Sequence, residues 1–301
     1  MILLIGHGYW GKNIAKTLNE ELYAVCDSDP SVLDDVKNLY PHTKLYNTIE
    51  EALEDSNIKG VIIATKAVTH FDIAKKVISS KRHLWIEKPA CVNVKQINEL
   101  IELSEKQNTK IFVDHIMCHD STIKYLKKNV NLGKSLFFES YRLHQGMFQP
   151  DVSVIYDLAI HDLSIIDYLF PGIELLNKQV ITNSHVNNLA DHAVLNLKFN
   201  NGLRATITCS WVSPVKQRQI FIGGTDAVMH LHDGIIDVMK LKEGINENYL
   251  HNSFESTETI TVEQQPGLAV AVDSFKKMIE LNQSPITDIY QSKRIQQWIE
   301  Q

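Results

Sequence analysis

The first eleven residues, MILLIGHGYWG, run from an apolar segment straight into a turn that holds three glycines. The apolar run predicts a buried strand, and the helix-prone residues after the turn predict a helix. Gly6 would permit the tight bend, Gly8 would let backbone N–H groups approach a pyrophosphate, and Gly11 would let helix pack on strand. The stretch therefore predicts the start of a dinucleotide-binding βαβ unit, with the phosphates at the positive end of the helix.

A second apolar run, residues 22–26, ends on Asp27, which follows the last glycine of the turn by 16 positions. At that place a carboxylate would meet the hydroxyls of the adenosine ribose. A carboxylate would repel a 2′-phosphate and Ser28 offers no cation, so the sequence favours NAD over NADP. Lys66 could supply a cation, which leaves NADP open as the less favoured cofactor.

Composition and charge are those of an ordinary soluble globular protein. The 301 residues are 44% hydrophobic and 22% charged, which is enough for two domains with separate cores. A net charge of −6 without a long basic run argues against a nucleic-acid partner. No apolar run approaches the ~20 residues of a membrane span, and no charged leader precedes the first strand. The four cysteines are scattered, which favours free thiols and a cytoplasmic setting.

The hydrophobic pattern changes once along the chain, near residue 117. Before it, apolar strands alternate with amphipathic helices, which predicts an N-terminal Rossmann dinucleotide-binding domain of residues 1–117. After it, apolar residues recur every second position in several runs, and Asn200-Asn201-Gly202 has the composition of a hairpin turn. We therefore predict a C-terminal α+β domain of residues 118–301, built on a largely antiparallel open sheet.

Ligands of open parallel sheets bind beyond the carboxyl ends of the strands. Three loops fall there: the glycine turn, Ala64-Thr65-Lys66 and Glu87-Lys88-Pro89. A lysine directly after a buried strand would hold its amine at the rim of the crevice, beside a nicotinamide. The alternative is a solvated loop lysine, but in a dinucleotide-binding fold we favour a functional Lys88.

A carboxylate and an imidazole lie four positions apart in a predicted helix, at Asp157 and His161. Residues at this spacing share one helix face. The carboxylate would orient the ring and raise its basicity, as a general base requires. A structural Asp–His hydrogen bond between two helices is the alternative.

Two further runs contain potential metal ligands. The first, His115-x-x-Cys118-His119-Asp120, crosses a strand end, where alternate side chains point to opposite sides, so convergence on one ion is unfavourable. The second, His230-x-His232-Asp233, lies on a strand that leads into a turn, and we interpret it as surface. The sequence analysis thus predicts no metal site.

Together these stretches resemble the Gfo/Idh/MocA oxidoreductases, the glucose–fructose oxidoreductase and inositol dehydrogenase superfamily. The resemblance rests on the glycine turn, Ala64-Thr65 with Thr69-His70, Glu87-Lys88-Pro89 and the Asp157-x-x-x-His161 helix. Within the family, three segments resemble a branch that acts on nucleotide sugars: GYWGKN (8–13), DLAxHDLSI (157–165) and SWxxPxKxR (210–218).

The resemblance implies an NAD(P)-dependent oxidoreductase that acts on CH–OH groups. It implies that Lys88 and His161 meet the reacting hydroxyl and that Asp157 orients them. It also implies a sugar or nucleotide-sugar substrate, as in UDP-N-acetylhexosamine 3-dehydrogenases, and a homodimer or homotetramer packed through the antiparallel sheets. The implied cofactor-binding residues are Gly6, Gly8, Tyr9, Trp10, Gly11, Asp27, Ala64, Thr65, His70, Glu87 and Lys88.

The chain departs from the family pattern at two positions and in length. Lys66 and Ile160 stand where the family usually has proline, and the second domain is short. A cyclitol or free-sugar dehydrogenase, an enzyme that reduces another acceptor such as a C=N bond, and a sensor without turnover are the alternatives. The presence of both Lys88 and the Asp157–His161 pair favours an enzyme, because a sensor needs no acid–base groups.

Overall fold

The structure, a computed structural model, consists of two compact units. It describes residues 1–129, 131–134, 136–186, 188–241 and 254–301. The first unit comprises Met1–His119 and Pro266–Glu300, and the second comprises Asp120–Gln265 with Gln301. Among the described residues, no helix combines the length and the apolar character that crossing a bilayer requires.

The first unit is built on one sheet of six parallel strands. The strands are β1 (Ile2–Ile5), β2 (Leu22–Cys26), β3 (Lys44–Tyr46), β4 (Gly60–Ile63), β5 (His83–Ile86) and β6 (Ile111–Val113). The helices between them are α1 (Tyr9–Leu18), α2 (Pro30–Leu39), α3 (Ile49–Glu54), α4 (His70–Ser79) and α5 (Val94–Gln107). The strand order β3-β2-β1-β4-β5-β6 confirms the predicted Rossmann fold.

Local sequence explains most of these elements. Every residue of β1 and β4 is buried, as expected for central strands covered on both faces. Three helices begin at a side chain that accepts a hydrogen bond from the backbone N–H two or three residues later. These N-cap residues are Asp29, Thr48 and Asn93.

The second unit is an α+β domain on a sheet of eight strands. The strands are β7 (Phe137–Gln145), β8 (Leu175–Asn183), β9 (His192–Phe199), β10 (Arg204–Ser210), β11 (Val212–Gly223), β12 (Ala227–His232), β13 (Ile235–Leu241) and β14 (Phe254–Thr261). Their order is β14-β13-β12-β11-β7-β10-β9-β8. Only β7 and β10 pair in parallel among these described strands, so the predicted, largely antiparallel sheet is confirmed.

Two helical segments accompany this sheet, α6 (Ser121–Asn129) and α7 (Ile160–Leu169). The apolar pattern predicts a single helix over residues 154–170, but the segment begins with a π-helical turn, Ile155–Ala159, which α7 continues. The pattern also predicts a strand from Ser135; β7 begins at Phe137, and Ser135 lies outside the described residues.

The domain boundary predicted from the sequence is wrong for the last part of the chain. Its two helices, α8 (Gly267–Leu281) and α9 (Ile289–Glu300), belong to the first unit and not to the second. The sequence pattern predicts a helix over residues 267–281, and these are the bounds of α8. The pattern does not show which sheet the apolar face of this helix covers.

Aromatic packing explains why α8 belongs with the parallel sheet. Phe275 of α8 is fully buried, and its ring centroid lies 5.6 Å from that of Trp85 and 6.2 Å from that of Phe112. Trp85 and Phe112 are themselves fully buried strand residues. Because these large rings project from β5 and β6, they need a covering helix, and α8 supplies it.

We expect Phe275→Ala to lower the free energy of unfolding of the first unit by about 3–5 kcal/mol, because it leaves a cavity beside Trp85 and Phe112. Urea denaturation followed by tryptophan fluorescence measures this change. Leu281→Ala at the end of the same helix, where the side chain is 65% exposed, is the control and should cost less than about 0.5 kcal/mol. Equal effects of the two substitutions would contradict the packing of α8 on this sheet.

Candidate functional site

The three glycines of the turn after β1 have different surroundings. Gly6 has a φ of +89°, and a Cβ there would lie 2.8 Å from the carbonyl O of Ala64. A Cβ on Gly11 would collide with the carbonyl O of Gly6. A Cβ on Gly8 would meet no atom of the described residues within 4 Å. Two glycines therefore allow α1 to pack against the strands, and the third leaves open space in front of the helix.

The N-terminus of α1 has the properties of an anion site. Gly8 is its N-cap residue, and no side chain of the described residues caps it. The free N–H groups of the first turn and the helix dipole therefore favour a negative charge at this end. Tyr9, the first residue of the helix, is 75% exposed.

Asp27 at the end of β2 is tied to the glycine turn by backbone hydrogen bonds. Its Oδ2 accepts from the N–H of His7 at 2.8 Å, and its Oδ1 accepts from the N–H of Asp29 at 3.1 Å. Each carboxylate oxygen can accept a second hydrogen bond. The half-buried side chain can therefore hold the turn and still accept from a ribose hydroxyl.

His70 connects the loops that follow β4 and β5. It is 1% exposed, its Nδ1 lies 2.9 Å from the carbonyl O of Pro89, and its Nε2 lies 3.1 Å from the carbonyl O of Thr65. The Thr65 hydroxyl in turn lies 2.8 Å from that of Thr69. His70 is one of the predicted cofactor-binding residues, and its contacts position the loops after β4 and β5.

A buried pair of carboxyl groups lies at the carboxyl ends of β5 and β6. Glu87 is 8% exposed and Asp114 is 1% exposed. Burial raises the pKa of Glu87 well above its usual range, and the neighbouring Asp114 raises it further. Burial also raises the pKa of Asp114. Because both carboxyl groups are buried and close to each other, their charged forms disfavour one another, and protonation of one of them is favoured.

Two neighbours of this pair come from the predicted site. Trp10 of α1 donates its Nε1–H to Oε1 of Glu87 at 2.7 Å. Lys88 is half-buried and precedes Pro89 through a cis peptide bond. Its positive charge favours the ionised carboxylates, and it lowers the pKa of both Glu87 and Asp114 against the effect of burial. The lysine therefore lies within electrostatic reach of both buried carboxyl groups.

Asp114 is not among the site residues predicted from the sequence. The signal was available, because Asp114 directly follows an apolar strand, as Asp27 does. What the sequence could not show is the pairing of β5 with β6, which brings the ends of the two strands together.

The histidines near Asp114 bond to hydroxyl groups of the C-terminal segment. His115 is fully buried, and its Nε2 lies 2.8 Å from Oγ of Ser292. Burial, with the charge of Lys88 as a smaller cause, lowers the pKa of His115 to about 3, so the ring is neutral. Nε2 of His119 lies 3.4 Å from Oγ1 of Thr287. These are contacts of structural core histidines.

In the second unit, Asp157 lies in the π-helical turn and His161 in the first turn of α7. Both are half-buried, whereas residues 158–160 between them are buried. Oδ2 of Asp157 accepts a hydrogen bond from Nε1 of Trp211 at 3.0 Å. Trp211 is fully buried, and Phe148 packs edge-on against it at 5.7 Å. The pairing of Asp157 with His161 stays a prediction.

Trp211 is a second residue whose role the sequence analysis missed. Trp211 belongs to the motif SWxxPxKxR (210–218), which carries part of the family resemblance but does not indicate what the indole contacts. Asp157 and Trp211 are separated by 54 positions, so no local pattern could join them.

A buried ion pair fixes the direction of α7. Arg142 of β7 donates to both oxygens of Asp162, from Nε at 2.7 Å and from an Nη at 3.0 Å. The two side chains are 10% and 1% exposed. A bidentate pair of this kind is geometrically specific. Since Asp162 faces the sheet, its neighbour His161 is held on a different side of the helix.

Comparison with known proteins identifies the family. Residues 1–115 match the family model described as oxidoreductase family, NAD-binding Rossmann fold, and residues 137–230 match the GFO/IDH/MocA C-terminal domain. The two models describe domains of one family, and the C-terminal domain follows the Rossmann domain along the chain. The chain belongs to the GFO/IDH/MocA oxidoreductase family, and its first unit has the NAD-binding Rossmann fold of that family.

Two curated relatives illustrate the similarity. The UDP-N-acetylglucosamine 3-dehydrogenase of Acidithiobacillus ferrooxidans is 29% identical over 171 residues, which cover 55% of this chain and 53% of that protein. The myo-inositol 2-dehydrogenase of Thermotoga maritima is 24% identical over 200 residues, 62% of this chain and 60% of that protein. The chain thus spans little more than half the length of these relatives.

Solved structures share the whole fold at low identity. The structure of the Acidithiobacillus ferrooxidans UDP-N-acetylglucosamine 3-dehydrogenase matches with a TM-score of 0.87 and 22% identity, over 99% of this chain and 94% of that chain. The WlbA dehydrogenase of Bordetella pertussis, solved with NADH and UDP-GlcNAcA, matches with a TM-score of 0.80 and 16% identity, over 99% and 93%. At these identities the matches show the fold.

We expect Asp114→Asn to stabilise the protein at neutral pH. A carboxyl pair whose pKa is raised on folding stabilises the fold fully only below the unfolded pKa, and this contribution is lost as the pH rises through the raised value. The variant should therefore gain about 1 kcal/mol or more near pH 8, because one pKa unit corresponds to about 1.4 kcal/mol. In acid the difference should shrink.

Urea denaturation from about pH 5 to about pH 9 measures this dependence. Asp34→Asn, on the exposed part of α2, is the control and should change the free energy of unfolding by less than about 0.5 kcal/mol. A destabilised Asp114→Asn protein across the whole range would contradict the raised pKa of the pair.

Proposed function

We propose that the chain is an NAD-dependent dehydrogenase that transfers hydride between nicotinamide C4 and the carbon of a secondary sugar hydroxyl. The observation that carries this proposal is the half-buried Lys88, the second residue after β5, beside the buried Glu87–Asp114 pair in an NAD-binding fold. An ammonium group at that place can hydrogen-bond a substrate oxygen and stabilise its developing negative charge.

The residues proposed to bind the cofactor have the chemical character that NAD requires. The open space at Gly8, the free N-terminus of α1 and the carboxylate of Asp27 fit a pyrophosphate followed by an adenosine ribose. The carboxylate supports NAD rather than NADP. Tyr9, Trp10, Ala64, Thr65 and Glu87 complete the proposed set, with Trp10 and Glu87 acting through their mutual hydrogen bond. When bound, the nicotinamide supplies the hydride chemistry.

His161 is the proposed general base. In the oxidation direction it takes the proton of the hydroxyl as the C–H bond loses its hydride, and in the reverse direction it returns that proton. Asp157, held by Trp211, orients the imidazole. Lys88 and His161 belong to different units, so their meeting at one oxygen is part of the proposal.

A nucleotide sugar is the proposed substrate class. The similarity to a UDP-N-acetylglucosamine 3-dehydrogenase and the motifs of residues 8–13, 157–165 and 210–218 support it. The similarity to a myo-inositol 2-dehydrogenase supports a cyclitol as the second candidate. A homodimer or homotetramer through the sheet of the second unit and a cytoplasmic location stay predictions.

We expect Gly8→Ala to weaken NAD binding at least about tenfold, or about 1.4 kcal/mol, without unfolding the protein. The φ of −73° at Gly8 suits alanine, and the methyl group would point into the space proposed for the pyrophosphate. Titration calorimetry with NAD measures the affinity. Gly267→Ala is the matched control, because a Cβ there meets only ordinary contacts at 3.5 Å or more. Unchanged NAD affinity in Gly8→Ala would contradict the proposed position of the pyrophosphate at Gly8.

We expect Lys88→Met to lower kcat at least about 100-fold, because it removes the hydrogen-bond donor to the reacting oxygen. Turnover is measured at saturating NAD, because Lys88 is also among the implied cofactor-binding residues. Lys95→Met, at an exposed position of α5, is the control and should keep full turnover. Near-normal turnover in Lys88→Met would remove Lys88 from the mechanism.

The substrate class is tested by following NADH absorbance with UDP- and dTDP-sugars, myo-inositol and free aldoses. The proposal requires the highest kcat/KM with a nucleotide sugar. A preference for myo-inositol would replace it with the cyclitol alternative. NAD binding without turnover on any of these compounds would favour the sensor.

A further inference from the structure

The hairpin of β12 and β13 brings together side chains that the sequence analysis interpreted as surface. Its two-residue turn is Asp233-Gly234, both with positive φ, 44° and 81°. This turn sets His230 opposite Asp237 in the strand register. His230 and His232 are two positions apart on β12 and so share one face. All three are half-buried, whereas Leu231 and Ile236 face the core.

The three side chains have the spacing of ligands around one small cation. Oδ2 of Asp237 lies 3.0 Å from Nε2 of His232 and 3.6 Å from Nδ1 of His230. One nitrogen or oxygen from each residue lies within 4.8 Å of the others, and this is the only such His, Cys, Asp or Glu group in the part of the chain that the structure describes. Two ligands of a tetrahedral zinc ion are roughly 3.3–3.4 Å apart, given metal–ligand distances of about 2.0–2.1 Å. The two measured distances bracket this value.

Neighbouring side chains hold the three groups in place. Phe221 of β11 stacks on His230 at 4.4 Å with an angle of 5°, and His230 stacks on His232 at 4.3 Å. Oδ1 of Asp237 accepts a hydrogen bond from Thr259 of β14 at 2.8 Å, which leaves Oδ2 for the histidines. Metal sites commonly have such outer contacts, because these orient the ligands before the ion arrives.

We propose that His230, His232 and Asp237 bind a divalent transition-metal ion of the zinc class, with water in the remaining position. Two imidazoles and one carboxylate favour zinc and its neighbours over magnesium or calcium, which prefer oxygen ligands. The site lies wholly within the second unit and uses none of the residues proposed for hydride transfer. An ion there would link β12 to β13.

The alternative is a stacked aromatic ladder whose histidines hydrogen-bond Asp237 and bind no metal. The full chain, freed of metal with a chelator, is titrated with zinc chloride against a chromogenic chelator, and separately with cobalt(II) to record the visible spectrum. We expect one zinc per chain and a cobalt spectrum of tetrahedral type. No saturable zinc binding, or an octahedral cobalt spectrum, would overturn the proposal without any variant.

Variants then test the ligands. Asp237→Asn and His232→Ala should each weaken zinc binding more than about 100-fold, and Thr259→Val about tenfold, as expected for a ligand and an outer contact. His185→Ala is the matched control, because His185 also pairs with an aspartate, at 2.7 Å from Asp191, but has no third ligand among the described residues. Asn at position 237 keeps the size of the side chain, so folding should be retained, and circular dichroism verifies it. Zinc affinity that is unchanged in both Asp237→Asn and His232→Ala would overturn the assignment of these ligands.

Discussion

The buried carboxyl pair Glu87–Asp114 constrains which residues can surround it in the first unit. Two carboxylates cannot both be ionised in an apolar interior, so the pair needs a proton, a donor and a nearby cation. Trp10 supplies the donor and Lys88 the cation. Trp10 belongs to the helix of the glycine turn, and Lys88 follows β5. The pair therefore connects the end of the helix proposed to bind phosphate with the lysine proposed to act on substrate.

The second unit also contains aspartates that are held by hydrogen-bond donors, but the donors differ from those of the first unit. Asp157 is held by an indole N–H, and Asp162 by a bidentate guanidinium. The indole leaves a half-buried carboxylate with capacity for a further hydrogen bond, whereas the guanidinium occupies both oxygens of the other. The two aspartates on one helical segment therefore have different uses: one can orient an imidazole, and the other locks the helix to the sheet. The π-helical turn, Ile155–Ala159, contains the first of these two aspartates.

The sequence predicted those features that are encoded over a few neighbouring positions. The glycine turn, the strand that ends on Asp27 and the bounds of α8 follow from local patterns, and the structure confirms them. The missed features depend on contacts between distant segments. The return of α8 to Trp85 and Phe112 brings the end of the chain to β5 and β6. The bond from Trp211 to Asp157 likewise depends on the arrangement of the sheet, which periodicity does not specify.

The hairpin of β12 and β13 combines a local sequence signal, its turn, with contacts between two strands. Asp233 follows the histidines in the sequence, but it occupies the turn, and its side chain is exposed. Asp-Gly is a typical two-residue hairpin turn, and counting outward from it places His230 opposite Asp237. The turn and the strand register therefore encode the cluster locally. On a strand, the neighbours of a side chain lie two positions away or across the ladder, so a search for ligands along strands must first fix the turn.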